Sequence, residues 1–293
     1  MLQKKKKTSI LKKYTESQLE KVANNIRQDL LKALVKAGSG HSAGPLGSAD
    51  IFTTLYFSVL KHNPKNPTWE NRDRFVLSCG HYCPVLYTTL AHAGYLPKKE
   101  LETLRHLGTR LHGHPHSEAL PGIETSSGPL GHGLSQAAGM AYAGIMDKKT
   151  WRVYCFASDG EQQEGNTWEA AMFAGNNKLR NLTLLIDRNN IQIDGFTENV
   201  MPIESLHDKY KAFGWHVIEI DGHNIKTIID ACHEAEAIYE KPTVIICHTI
   251  PGKGVHFMEK DFNWHGKPPT PDEAKHALHH LRSLGGKITG EHE

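Results

Sequence analysis

No apolar run in this chain approaches the roughly 20 residues that a membrane span needs, which excludes a spanning helix as the organising feature. A secretory leader is missing as well. Met1-Leu2-Gln3 and the run Lys4 to Lys7 give a positive start, but no apolar core follows it. Cysteine is scarce, with five in 293 residues. The odd count and irregular spacing of Cys79, Cys83, Cys155, Cys232 and Cys247 make no disulfide framework. Cys155 and Cys247 sit in apolar runs and read as buried small hydrophobes. Cys79 and Cys83 lack the second Cys pair that a zinc site would need. A reducing, cytoplasmic setting is the expectation. An excess of charge is absent too: 34 Lys and Arg face 32 Asp and Glu, without the basic footprint of a nucleic-acid binder. The lysine run then reads as a solvated arm. No internal repeat is present, and that run is the one low-complexity segment.

The length sits at the upper limit for a single core, and the pattern divides accordingly. Residues 1–14 read as a flexible basic arm, 15–285 as one α/β domain with long loops, and 286–293 as a flexible tail. Thr15-x-x-Gln18 is a capping box. Leu19, Val22, Ala23, Ile26, Leu30 and Leu34 follow at helical spacing, and Gly38 stops the helix. The segment 38–48 is too rich in Gly and Ser for regular structure, 49–60 suits a buried helix, and 74–78 is a short strand. The His-rich stretch 105–135 shows no clear long element before a small-residue helix over 134–146. The second half alternates: strands at 152–158, 182–188, 216–220 and 243–250, helices at 166–175, 204–213 and 225–239. Thr270, Pro271, Asp272 and Glu273 start a last helix that runs to about Leu284. Such alternation predicts a doubly wound, mostly parallel sheet with helices on both faces.

The most informative stretch is 158–195. One apolar strand ends at Asp159-Gly160 and a second ends at Asn189, thirty positions on, about the length of one βαβ turn. That unit brings both side chains to the carboxyl edge of a sheet, where α/β proteins bind ligands. The Asp159 carboxylate, the Asn189 amide oxygen and the Ile191 main-chain carbonyl make a hard-cation site for Mg²⁺, or Ca²⁺ or Mn²⁺. Its charge is too low to hold the ion without phosphate oxygens. Gly160 lets a diphosphate approach the backbone, and the next helix is expected to add N–H donors from its N-terminus. Singly, Asp159 and Asn189 could as well be a cap and a turn residue; the joint spacing favours the diphosphate.

Ser158-Asp159-Gly160, through Glu164-Gly165 and Glu169-Ala170, to Asp187-x-Asn189-x-Ile191-x-Ile193-Asp194-Gly195 resembles the thiamine-diphosphate motif, with Ser158 where Gly is usual. Five further segments resemble transketolase signatures: Gly40-His41-Ser42-Ala43-Gly44-Pro45-Leu46-Gly47, with one residue shifted in its middle; Asp73 through His81 to Tyr87; Gly113-His114-Pro115; Gly122 to Gly133, where Gln is commoner than His132; and Trp264-His265-Gly266. The resemblance runs over residues 16–285. It implies that Asp159, Asn189 and Ile191 hold the metal and that Gly160, His81 and His265 contact the diphosphate. It implies that Gly128 and Leu130 meet the aminopyrimidine, and that His41, His114 and His265 line the channel and act on sugar hydroxyls. Glu164 is expected at a subunit interface. The residues themselves support the histidine roles, since a Gly-flanked loop imidazole can reach a ligand and exchange protons near pH 7.

The family also needs a pyrimidine-binding domain with a Glu for the aminopyrimidine ring, and no residue of this chain matches it. Met1 and the polar tail after a capped helix read as natural ends. The expectation is therefore the N-terminal subunit of a split transketolase, paired with a C-terminal subunit in an α2β2 heterotetramer. Its implied reaction moves a two-carbon ketol unit from a ketose phosphate to an aldose phosphate. The same chemistry on a sulfonated or branched sugar is an alternative, as is a non-catalytic thiamine-diphosphate-binding assembly subunit, against which the channel histidines speak. A synthase that decarboxylates pyruvate fits the first 50 residues less well. A zinc hydrolase built on His112, His114 and His116 is disfavoured by their alternate spacing and Pro115.

Overall fold

The computed structural model describes residues 14–283; the expected basic arm, apart from Tyr14, and the expected tail lie outside the described residues. Helix α1 (Glu16–Ala37) opens with the capping box, Thr15 and Gln18 satisfying each other's backbone N–H groups, and closes on Gly38 in the left-handed region at φ 64°. The segment expected to be irregular contains a short helix instead, α2 (Ala43–Gly47), and α3 (Ala49–Thr54) follows directly and widens into a π turn over Leu55–Val59. This departure from the expectation for 38–48 has a packing reason. All of α2 is buried, and a Cβ on Gly44 would lie 2.2 Å from the Tyr82 hydroxyl, so the small residues that disfavour a free helix allow this buried one.

Strand β1 (Arg74–Leu77) leads into α4 (Cys83–Ala93), a helix whose start lies inside a signature and whose pattern gave no separate signal. Helix α5 (His132–Met146), β2 (Val153–Ser158), α6 (Gly165–Asn176) and β3 (Leu182–Arg188) come next. A two-stranded hairpin of β4 (Ile191–Gln192) and β5 (Gly195–Phe196), then α7 (Thr197–Val200), α8 (Leu206–Ala212), β6 (His216–Asp221), α9 (Ile225–Ala237), β7 (Thr243–His248) and α10 (Pro271–Ser283) complete the chain.

Five strands form one parallel sheet in the order β1-β2-β3-β7-β6. The period of two along a strand splits the core. Tyr154 and Phe156 of β2 pack with Leu185 and Ile245 into one cluster, which also takes Leu30 of α1 and Phe52 of α3. Val153, Cys155 and Ala157 pack into a second cluster with Leu134 of α5, Ala171 of α6 and Trp215. Burial on both faces is why these strands read as continuous apolar runs rather than alternating ones. All five cysteines are buried and free. Among the described residues no helix is long and apolar enough to cross a membrane.

Close packing of α6 rests on Gly175, where a Cβ would come 1.9 Å from the Phe213 carbonyl oxygen. Gly175→Ala should therefore destabilise the fold by about 2 kcal/mol, in the range of overpacked cores. Chemical denaturation measures it, and an unchanged midpoint would show that the α6 contact gives way freely.

Candidate cofactor site

The site is assembled at the carboxyl edge of the sheet. Ser158 pairs in register with Asp187, so the residues that follow, Asp159 and those after Arg188, emerge side by side from neighbouring strands. Asp159 is fully buried. Its Oδ1 accepts from the Gly160 amide at 2.7 Å, and its Oδ2 accepts from the Asn190 amide at 2.7 Å and from Arg188 Nη1 at 3.1 Å. Asn189 is oriented just as firmly. Its Oδ1 accepts from the Ile191 amide at 3.0 Å, while its Nδ2 donates to the Tyr82 hydroxyl and to Asp187 Oδ2. Burial pushes the Asp159 carboxyl up, against the pull of the Arg188 guanidinium. Among the described residues no group of three or more His, Cys, Asp and Glu side chains is arranged to hold a metal ion. One carboxylate and one amide oxygen, from Asp159 and Asn189, make a charge-poor donor set that leaves room for ligand phosphates.

The next helix begins one residue before its expected start. A 3₁₀ turn over Gly160–Gln163 precedes it, and α6 starts at Gly165. Within that turn Glu161 turns inward. Its carboxylate accepts from the Gly131 amide at 2.8 Å, from the Ser158 amide at 3.1 Å and from the Ser78 hydroxyl. Burial pushes this carboxyl up to about 7, opposed by those donors. Glu161 thus ties the ends of β1 and β2 to the loop that carries Gly128 and Leu130. It was not singled out from the sequence, where it is one acid among several after Gly160.

Three of the four singled-out histidines converge from distant loops. His41 follows α1, His81 follows β1 and His265 follows β7, yet their ring centroids lie 4.9 Å (His41–His81), 5.5 Å (His41–His265) and 5.3 Å (His81–His265) apart. The Ser42 hydroxyl donates to the Lys267 carbonyl at 2.6 Å and holds two of these loops together. His114 approaches from the side: a Cβ on Gly128 would meet its ring at 3.8 Å. The next contact in this chain of loops is tighter, since a Cβ on Gly80 would lie 2.9 Å from the Gly128 amide nitrogen.

Burial, with the neighbouring histidines and Arg105 adding to it, pushes His41 down to about 4. Burial does the same to His265, also to about 4, and takes His81 well below the usual imidazole range. His114 is lowered by burial and by Arg105. The cluster is therefore neutral at pH 7, each ring with one donor and one acceptor nitrogen. His81 Nε2, His265 Nδ1 and Ser127 Oγ are buried with no hydrogen-bond partner among the described residues. Buried polar atoms are rarely left so. Three such orphans fit a large polar ligand such as a diphosphate-bearing cofactor.

The remaining expected residues fall around this centre. Ile191 is buried at the start of the hairpin and Leu130 is half-buried. Gly160 faces Gln192, whose Cβ would be 3.2 Å from an added methyl. Glu164 stands exposed just before α6, apart from the histidines, with its Cβ 2.8 Å from where a side chain at Gly131 would begin. Sequence reading passed over Arg188, Tyr82 and Asp187, which orient Asp159 and Asn189. No local signal marks them, since their burial beside Asp159 and Asn189 is set by tertiary packing.

Comparison with known proteins agrees with this geometry. Residues 18–283 match the family described as transketolase, thiamine diphosphate binding domain. The chain is 43% identical over 267 residues to a 6-deoxy-6-sulfo-D-fructose transketolase subunit of Clostridium sp. (strain MSTE9), covering 91% of this chain and 97% of that protein. It is 41% identical over 273 residues to an apulose-4-phosphate transketolase subunit of Phocaeicola vulgatus, covering 93% and 97%. The crystal structure of transketolase from Campylobacter jejuni superposes with a TM-score of 0.86 at 35% identity, covering 94% of this chain but 45% of that one.

Proposed function

This chain belongs to the transketolase family, as its thiamine-diphosphate-binding domain, and from that we propose that it is the N-terminal subunit of a two-chain transketolase. The observation that carries the reading is the neutral histidine cluster with its orphaned nitrogens. A mere binding or assembly subunit has no use for three imidazoles converging on one point. We read the described residues from Thr15 on as one domain, since both cores share a single sheet; the last two positions of the expected 15–285 lie outside the described residues.

Asp159, Asn189 and the Ile191 carbonyl hold a divalent metal, Mg²⁺ by preference for carboxylate, amide and phosphate oxygens. Gly160, His81 and His265 meet the diphosphate, and Gly128 and Leu130 the aminopyrimidine. When bound, thiamine diphosphate supplies the electron sink that ketol transfer requires. The chain's own task is proton handling and orientation. A neutral imidazole at His41, His114 or His265 accepts a proton from a donor-sugar hydroxyl at its free nitrogen and returns one to the acceptor carbonyl oxygen. Low imidazole basicity keeps these rings from being trapped as cations.

Among the described residues none of the buried acids near the site is spare, which supports a partner. Glu161 is held by Ser78, Gly131 and Ser158. Asp187 is held by Tyr82, Asn189 and Thr249, and Asp159 by three donors. The acid for the aminopyrimidine ring then comes from a second, C-terminal subunit. Exposed Tyr142 and Met146 on α5, with Met172 and Phe173 on α6, present apolar surface that supports an assembly interface and an α2β2 heterotetramer; exposed Glu164, at the start of α6, is assigned to an interface as well. Five buried free thiols support a cytoplasmic setting.

The test is the co-purified pair, supplied with thiamine diphosphate and Mg²⁺ and offered ketose phosphates with aldose phosphates, sulfonated sugars and branched sugars. Two-carbon transfer to any of these acceptors bears out the reaction class, and the preferred acceptor identifies the substrate. A pair that binds cofactor and transfers nothing would favour the assembly role. In the active pair, His114→Ala should lower kcat about 100-fold, within the range of general acid–base catalysis, and leave cofactor affinity within twofold. Lost affinity with normal turnover would remove His114 from its assigned role.

A further inference from the structure

His223 belongs to the loop between β6 and α9, away from the clustered histidines, yet it is buried and both its ring nitrogens have partners. Nδ1 lies 3.0 Å from Asp50 Oδ2, and Nε2 lies 2.8 Å from the Ile250 amide nitrogen. A backbone N–H can only donate, so Nε2 carries the lone pair and Nδ1 carries the proton. Asp50 is the matching acceptor. Burial raises its carboxyl, but the Arg27 guanidinium and the His223 hydrogen bond outweigh burial and hold it down to about 2. Arg27 of α1 donates to both Asp50 oxygens and, from Nε, to the Leu46 carbonyl of α2 at 2.9 Å. A buried ion pair thus fixes the tautomer of one ring, and that ring holds one backbone amide.

The amide belongs to the segment that braces the candidate metal edge. Thr249, one residue earlier, donates its hydroxyl to Asp187 Oδ1, and Asp187 Oδ2 accepts from Asn189 Nδ2 at 2.7 Å. Fixing the Asn189 amide nitrogen on Asp187 also fixes the oxygen on the other arm of that amide, the atom assigned to the metal. Gly222 lets the His223 loop come this close, since a Cβ there would lie 2.5 Å from the Thr249 methyl. The same segment reaches the helix that follows His41. The Gly252 amide donates to the Ala43 carbonyl at 2.8 Å, and a Cβ on Gly47 would come 2.8 Å from the Ile250 carbonyl oxygen.

We infer that His223 is a positioning residue for the metal site: its bond to the Ile250 amide sets the Thr249 hydroxyl against Asp187 and so holds the Asn189 oxygen in place for the divalent ion. The inference rests on the reading that Asp159 and Asn189 hold that ion. Groups that orient a metal ligand from behind commonly cost about 10- to 100-fold in metal affinity when removed.

The experiment titrates thiamine diphosphate into the assembled pair by calorimetry at several Mg²⁺ concentrations. It compares wild type, His223→Asn, His223→Gln, Thr249→Val and the double variant H223N/T249V. Asn keeps a donor where Nδ1 faces Asp50 but has no acceptor at the Nε2 position, which the Gln amide oxygen reaches. The Mg²⁺ concentration for half-maximal cofactor binding should rise about 10-fold in H223N and in T249V, and stay within about threefold of wild type in H223Q. The double variant should need no more Mg²⁺ than T249V, because both changes break one connection. Chemical denaturation of the same proteins supplies the control. Both His223 variants lose the packing of the ring, so a purely structural role would lower both midpoints without separating their Mg²⁺ requirements. An unchanged requirement in H223N or T249V, equal losses in H223N and H223Q, or losses that multiply in the double variant would overturn the inference while leaving the metal reading intact. Wild-type cofactor binding indifferent to Mg²⁺ would instead overturn that reading, and this inference with it.

Discussion

The purified chain alone should transfer no ketol unit, and adding the C-terminal subunit should restore transfer by at least about 10⁴-fold. Two independent facts lead to this expectation. The chain spans nearly all of the two relatives that are named as subunits, but less than half of the Campylobacter jejuni transketolase. In addition, among the described residues the buried acids beside the site are all committed to other donors. Removing a catalytic acid or base from an enzyme commonly costs 10²- to 10⁴-fold, and here an entire side of the cleft would be missing. The measurement is product formation with saturating thiamine diphosphate and Mg²⁺, chain alone against chain plus partner. Turnover by the isolated chain at the rate of the pair would refute the split-site proposal.

The second large effect is expected at Asp159. Asp159→Ala should abolish metal-dependent cofactor binding in the assembled pair, with at least about a 100-fold loss of thiamine diphosphate affinity and no further response to Mg²⁺. Alanine also strips Arg188 of a buried partner, and breaking a buried ion pair costs about 3–5 kcal/mol. Arg188 keeps Thr197, Glu198 and Glu204 as partners, which should hold that cost to the low end. Asp159→Asn is the cleaner variant. It preserves the volume, and one amide oxygen can still accept from a backbone N–H, so a Mg²⁺ response lost in both variants reports the missing carboxylate rather than local unfolding. Titrating cofactor by calorimetry at several Mg²⁺ concentrations separates the two. Undiminished affinity in Asp159→Asn would take Asp159 out of the metal site.

How much of the fold is legible in the sequence varies by element. The strands over 182–188 and 216–221 and the last three long helices are readable because caps and apolar stripes are local signals, and α1 carries both its capping box and its terminating glycine. Segment 38–48 departs from its sequence pattern for a physical reason. Gly and Pro disfavour a helix in isolation, but here close packing against Tyr82 uses the absence of side chains. That Asp159 and Asn189 emerge at neighbouring strand ends is legible from their separation. The grip on Asp159 by Arg188 is not, because a charged residue at a strand end is normally exposed and nothing local marks this one as buried.

The sequence alone determined the parallel α/β architecture, the Asp159–Asn189 edge and the identity of the histidines beside glycine, since each depends on spacing within a short window. Tertiary structure decided which histidines meet. His41, His81 and His265 touch through three loops that chain order leaves far apart, whereas His114 stays at the rim beside Arg105. It also decided their chemistry, because an imidazole's basicity is set by burial and neighbouring charge rather than by its own covalent structure.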